Sequence, residues 1–181
     1  SLLAQQATQT AWPFVVSRWK GLGAAIDWRF RFRPIDLAIG LGTAVMALGL
    51  AALAGGLASS LVDLSDSAQA ENTEFLVAAK GTPWLVVFIL GAVVGAPLSE
   101  ELMFRGLIMR AVEKRAGRIV AVLGSTVLFT LVHYGSDRGW DGTIVLFASI
   151  GAVGLVLAVV TMAVDRLWPA IIAHMGFNAI G

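Results

Sequence analysis

The sequence predicts an all-α protein, a polytopic bundle of transmembrane helices preceded by an interfacial segment rich in basic and aromatic residues. Three observations carry that prediction. Of the 181 residues, 57% are hydrophobic and 14% charged, with a mean hydropathy of +0.81, against roughly 45–50% apolar and about 25% charged in soluble domains. Several apolar runs approach the roughly 20 residues that a helix needs to cross a bilayer. All six tryptophans, Trp12, Trp19, Trp28, Trp84, Trp140 and Trp168, fall at or near the ends of those runs, where amphipathic rings sit at headgroup level.

Residues 1–33 set Trp12, Phe14, Trp19, Trp28, Phe30 and Phe32 among Arg18, Lys20, Arg29, Arg31 and Arg33, a mixture suited to an arm lying in the headgroup layer. Pro34 opens an apolar run to Leu64 that contains one early charge, Asp36. Residues 63–82 carry Asp63, Asp66, Glu71, Glu74 and Lys80 and read as a polar loop with room for a short surface helix. Pro83 starts the next run, which passes through Gly91, Gly95 and Pro97 to Glu100 and Glu101 and ends in the basic stretch Arg110 to Arg118. Apolar segments at about 119–134 and 143–164 follow, separated by the polar turn Gly135 to Gly142, and a last helix opens at Trp168-Pro169, proline being favoured in a first turn. These make five candidate membrane helices in a single bundle over 34–181. With no initiator Met, and with its last residues inside an apolar helical pattern, the chain is expected to be a fragment of a longer one.

Orientation follows from the cations. Arg18, Lys20, Arg29, Arg31 and Arg33, then Arg110, Lys114, Arg115 and Arg118, then Arg166, fall on one side. The other side has Lys80 and Arg138 beside six carboxylates, Asp63, Asp66, Glu71, Glu74, Asp137 and Asp141. The positive-inside rule places the first set in the cytoplasm. A formal net charge of +1 gives no reason to expect a nucleic-acid partner, and the absence of cysteine excludes disulfides and thiolate metal ligands. The lipid bilayer is the expected surrounding, and the Ala- and Gly-rich composition points to a bacterial plasma membrane.

An ionisable side chain near the middle of a membrane helix costs ~2.5 kcal/mol or more, so its default reading is a functional site with a partner. Within the apolar segments these are Glu100, Glu101, Arg105, His133 and His174, joined by the amide of Asn178. Glu101 and Arg105 are four apart with the acid first, the favourable order for a pair on one helix face. Glu100 lies about 100° around the helix, over Phe104. Phe129-x-x-x-His133 and His174-x-x-x-Asn178 repeat the same spacing. If the chain reverses at Gly117, Glu100 and Glu101 lie 17 and 16 residues before the turn and His133 lies 16 after it, which puts them at one level. His174, eight residues after Arg166, is about 12 Å into the membrane. All three groups therefore converge in the cytoplasmic half.

Two imidazoles, a carboxylate and an amide at one level are the ingredients of water-activated amide hydrolysis. In one arrangement Glu100 is the general base, His133 positions the water, and His174 and Asn178 donate to the developing oxyanion. In another, Glu100, His133 and His174 hold a divalent metal, zinc by the nature of the donors, that acidifies a bound water. Spacing leaves both open. Glu100-Glu101-Leu-Met-Phe-Arg105, Phe129-Thr-Leu-Val-His133 and His174-Met-Gly-Phe-Asn178 resemble, in order, the three signature motifs of the CPBP family (CAAX protease and bacteriocin-processing) of intramembrane proteases, which includes the type II CAAX prenyl endopeptidases. The resemblance covers about residues 83–181 and none of 1–82. It implies an intramembrane endopeptidase, or a bacteriocin-maturation or immunity role, with chemistry described both as metal-dependent and as using glutamate alone. It further implies that Glu100 and His133 activate water, Glu101 and Arg105 support them, and His174 and Asn178 stabilise the transition state on a peptide or membrane-protein substrate.

Two other classes remain open at this level. A non-catalytic accessory or immunity-type partner of another membrane protein would keep the same pocket. A proton-coupled transporter would use the same groups as a relay, although five helices show neither inverted repeat nor second broken helix.

Overall fold

The computed structural model describes residues 2–62, 80–135 and 139–180. The acidic loop over 63–79, with its expected surface helix, and positions 136–138 of the later turn lie outside the described residues. Among the described residues every secondary-structure element is helical. They are α1 (Leu2–Lys20), α2 (Ala24–Asp27), α3 (Ile35–Ser59), α4 (Pro83–Leu90), α5 (Ala96–Glu101), α6 (Met109–Leu131), α7 (Gly139–Val164) and α8 (Trp168–Ile180), with π-helical turns at Gly91–Gly95 and Leu102–Ile108 joining α4, α5 and α6 into one continuous helical stretch.

Three helical stretches are long and apolar enough to cross a membrane: Ile35–Ser59, Pro83–Leu131 and Gly139–Val164. The five expected spans differ from these for two reasons. The 49-residue stretch from Pro83 to Leu131 is really two arms, because Gly117 interrupts it with φ 84 and ψ 174, a backbone open essentially to glycine alone. The arms fold back on each other about that residue: the rings of Phe104 and Phe129 meet edge-on at 5.4 Å, and the Ser125 hydroxyl donates to the Phe104 carbonyl at 3.1 Å. Helix α8 has 13 described residues and runs up to the last of them, against the roughly 20 of a full crossing.

α3 packs along both α7 and α8 through a stripe of small residues, Gly40, Ala44, Ala47, Ala51, Gly55 and Ala58. Close helix approach is how membrane bundles gain packing without a hydrophobic driving force. A Cβ at Gly40 would come within 2.6 Å of the Ile172 side chain. Against this stripe lie Val153, Val156 and Leu157 of α7 and Ala170 and Ala173 of α8. The outer face of α3 exposes Leu37, Leu41, Val45, Leu53 and Leu57, the pattern of a helix whose solvent on that side is hydrocarbon. Hydroxyls buried in the bundle are satisfied locally, Thr43 by the Ile39 carbonyl at 2.7 Å and Thr161 by that of Leu157 at 2.8 Å.

The N-terminal segment docks on the bundle rather than only skirting it. α1 lies against α5 and the turn Leu102–Ile108. Trp28, expected among the boundary aromatics, is 3% exposed and packs with Leu102, Leu167 and Ile171, its ring edge-on to Phe14 at 5.2 Å. Trp12 and Trp19 stay exposed. Asp36, which the sequence marks only as a stray early charge, is fully buried. Its Oδ1 accepts from Nε and Nη2 of Arg166 at 2.9 and 2.7 Å, and its Oδ2 from the Arg33 N–H at 2.9 Å. This pair ties the start of α3 to the turn between α7 and α8, on the side where the basic residues gather.

Candidate functional site

Glu100 and Glu101 close α5, between the two π-helical turns. Such i→i+5 turns widen a helix by one residue and are frequent at functional sites. On this stretch they aim the adjacent carboxylates at two different neighbours.

Glu101 points into the bundle. Its Oε1 accepts from Arg105 Nη1 at 2.8 Å and lies 2.9 Å from His174 Nδ1. Both Glu101 and Arg105 are fully buried, and His174 is 4% exposed. The i, i+4 pair read from the sequence is therefore present, with His174 as a third member that spacing could not supply. Arg105 is held from two further directions. Its Nη2 donates to the Gly154 carbonyl on α7 at 2.8 Å, and its guanidinium carbon sits 4.3 Å from the centre of the Phe129 ring. Glu101 Oε2 and Arg105 Nε are buried without a hydrogen-bond partner.

Glu100 faces the two imidazoles. Its Oε2 is 3.8 Å from His174 Nε2 and 4.0 Å from His133 Nε2, and the side chains of Glu100 and His133 are 24% and 28% exposed. These two groups form the accessible side of the cluster, and the Glu101–Arg105–His174 unit forms its buried floor. His133 does not sit within a helix as its spacing implies. α6 ends at Leu131, and His133 occupies the turn just beyond it. Its relation to Phe129 survives, because His133 Nδ1 lies 2.8 Å from the Phe129 carbonyl and the two rings are 4.7 Å apart.

The Phe129 contact fixes the His133 tautomer. A carbonyl oxygen only accepts, so His133 carries its proton on Nδ1. Glu101 Oε1 takes the corresponding place behind His174 Nδ1. Nε2 of each ring faces Glu100 Oε2 across a gap longer than a direct hydrogen bond of about 2.7–3.2 Å. Buttressing of Nδ1 is also how proteins prepare histidines as metal ligands. Yet among the described residues no group of three His, Asp or Glu side chains stands so as to hold a metal ion.

The Asn178 amide donates from Nδ2 to the Ala92 carbonyl at 2.9 Å, inside the first π-helical turn, two helical turns ahead of Glu100. Contacts that the sequence did not flag are Gly154, whose carbonyl holds Arg105, and Ser125, whose hydroxyl pins the hairpin. A Cβ on Gly154 would meet Phe129 Cδ1 at 3.0 Å and Arg105 Nη2 at 3.6 Å, so the closeness of α7 here depends on glycine. One more glycine in an apolar helix is too common a signal to single that position out.

A family model described as type II CAAX prenyl endopeptidase Rce1-like matches residues 82–180, the part of the chain that contains the cluster and Asn178. No curated protein and no solved structure matches the chain.

Proposed function

We propose that this chain, which belongs to the type II CAAX prenyl endopeptidase Rce1-like family, is an intramembrane endopeptidase that hydrolyses a peptide bond with water activated by Glu100 and its two histidines. The observation that carries this reading is the convergence of His133 Nε2 and His174 Nε2 on Glu100 Oε2, each ring oriented from behind by an acceptor on Nδ1. A water bridging Glu100 Oε2 and an imidazole Nε2 loses a proton to Glu100 as its oxygen attacks the carbonyl carbon of the substrate. The carbonyl electrons move onto oxygen, and the proton passes from Glu100 to the departing amine as the C–N bond breaks.

His174 has Glu101 behind it and so is the ring suited to carrying a second proton. Protonated on both nitrogens when the substrate binds, it donates from Nε2 to the oxyanion, while Glu101 offsets its charge. Arg105 holds Glu101 in place, and the bond from Asn178 to Ala92 fixes α8 against the π-helical turn, leaving the second amide N–H of Asn178 for the substrate. The cation asymmetry supports a site in the cytoplasmic half of an integral membrane protein, with a peptide or a membrane-protein segment as substrate.

The direct test is Glu100→Gln, which keeps the shape and removes the base. Membranes from cells carrying this variant should accumulate an uncleaved polypeptide relative to wild type, and the purified protein should lose about 10²–10⁴-fold in peptide cleavage. Full cleavage by both Glu100→Gln and His133→Ala would sink the proposal.

A further inference from the structure

On the basic side of the molecule, away from the glutamate–histidine cluster, a cleft of about 190 Å³ lies between the end of α1, the α2 segment and the helical stretch through Gly106 to Lys114. That is less than the roughly 300–1,000 Å³ of pockets for drug-sized ligands and suits a headgroup rather than a whole metabolite. Three cations line it: Lys20, Arg110 and Lys114. Asp27 also lines it, but its oxygens are turned to the local loop, accepting from the Ser17 hydroxyl and from the Leu22 and Gly23 N–H groups.

Arg110 is the most buried of the three. Its side chain is 10% exposed. Nη1 donates to Glu113 at 3.0 Å and Nη2 stands 3.1 Å from Asp165 Oδ1, yet Nε and Nη2 are both buried with no hydrogen-bond partner. A buried guanidinium N–H without an acceptor is costly, and a phosphate oxygen is the acceptor that guanidinium groups favour. Next in the chain to the lining residues Lys20 and Gly21 stand Trp19 and Leu22, 78% and 76% exposed, and the Lys20 ammonium lies 5.6 Å from the Trp19 ring centre, the side-by-side amphipathic and cationic arrangement of the membrane interface.

We infer that this cleft is a binding site for the phosphate of an anionic phospholipid, gripped by Lys20, Arg110 and Lys114 with its acyl chains lying beside Trp19 and Leu22. Basic pockets between helices on the cytoplasmic side are a known means of holding anionic headgroups. The inference rests on the membrane placement proposed above and not on the hydrolase reading, so its test reads lipid retention and not cleavage.

Full-length chain purified in mild detergent would be titrated with phosphatidylglycerol and, separately, with phosphatidylcholine of the same acyl chains, and retention read by native mass spectrometry. Wild type should retain one phosphatidylglycerol in preference to phosphatidylcholine. Lys20→Gln/Lys114→Gln, both exposed and therefore tolerant of change, should weaken retention roughly 25-fold, about fivefold for each cation lost. The equally charge-reduced Arg31→Gln/Arg33→Gln should bind as wild type does. Equal loss in the two double variants, or equal retention of the two lipids, overturns the site. Complete displacement of phosphatidylglycerol by millimolar inorganic phosphate would make it a free-phosphate site and overturn the lipid assignment.

Discussion

Replacing Arg105 with alanine removes one half of a pair in which both side chains are fully buried and 2.8 Å apart. Breaking a buried ion pair from one side costs about 3–5 kcal/mol, because the remaining charge stays in a low-dielectric site. His174 Nδ1 remains 2.9 Å from Glu101 Oε1, which softens the loss. Against that, Glu101 Oε2 has no partner to begin with, and the Gly154 carbonyl loses its donor, a further ~1–3 kcal/mol for a stranded buried group. The total belongs in the upper half of the range, ~4–5 kcal/mol. For a chain of this length each kcal/mol moves Tm by roughly 2–4 °C, so Arg105→Ala should unfold ~8–20 °C lower in detergent, followed by far-UV circular dichroism. Glu100→Gln should stay within about 1 kcal/mol of wild type while losing cleavage. Replacing both partners, as Glu101→Leu/Arg105→Leu, should recover most of the stability, since apolar substitutes for a whole buried pair are often neutral or better. An Arg105→Ala Tm within ~2 °C of wild type, or a double variant less stable than the single, would refute the reasoning.

Three other outcomes follow from the same geometry. Cleavage should survive exhaustive chelation, since the proposed route runs through Glu100 and two imidazoles; activity lost to chelator and restored by zinc, with stoichiometric zinc absent from His174→Ala, would replace that route. Cysteine placed at Trp140 should react with impermeant thiol reagents in intact cells and cysteine at Lys114 only after lysis; the reverse pattern would invert the topology. The Asp27 carboxyl is held below its ordinary range, chiefly by the Ser17 hydroxyl and then, against the opposing effect of burial, by the Leu22 and Gly23 N–H groups and the Lys114 charge. A depressed folded-state pKa contributes stability that is present above the usual carboxylate range and lost as pH falls through it. Asp27→Asn at neutral pH should therefore speed hydrogen exchange at Leu22 and Gly23, whereas wild type should do so only in acid; equal exchange in both at neutral pH would show that Asp27 does not hold the loop.

The cluster was legible in the sequence because charge in an apolar run is expensive enough to be rare. Glu101 and Arg105 announced a partnership by spacing alone, and counting residues from Gly117 put Glu100 and His133 at one level because a helix advances at a fixed rise. What stayed hidden are contacts between helices that carry no such arithmetic. The bond from His174 to Glu101 joins residues 73 apart, and Asp36 meets Arg166 across 130. His133 was placed on a helix because Phe129 lies four before it, but the α6 backbone turns at Val132, and a ring can keep its neighbour after the helix under it has ended. Trp28 was assigned to the headgroup layer by composition, which registers that aromatics and cations alternate but not which of them turn inward.

The two π-helical turns around α5 bear on how this chain tolerates change in its length. One residue added to or taken from an α-helix rotates everything on one side of it by about 100° relative to the other, and a π turn is the conformation that absorbs one such residue. With a π turn on each flank, the phase of the Glu100–Glu101 face is set separately from that of α4, none of whose residues is buried, and from that of the arm leading to Gly117. A single deletion within Gly91–Gly95 would leave every reactive side chain in place, yet relax the turn to α and swing α4 around the helix axis, carrying the Ala92 carbonyl away from Asn178. The number of residues there matters to the site as much as their identity.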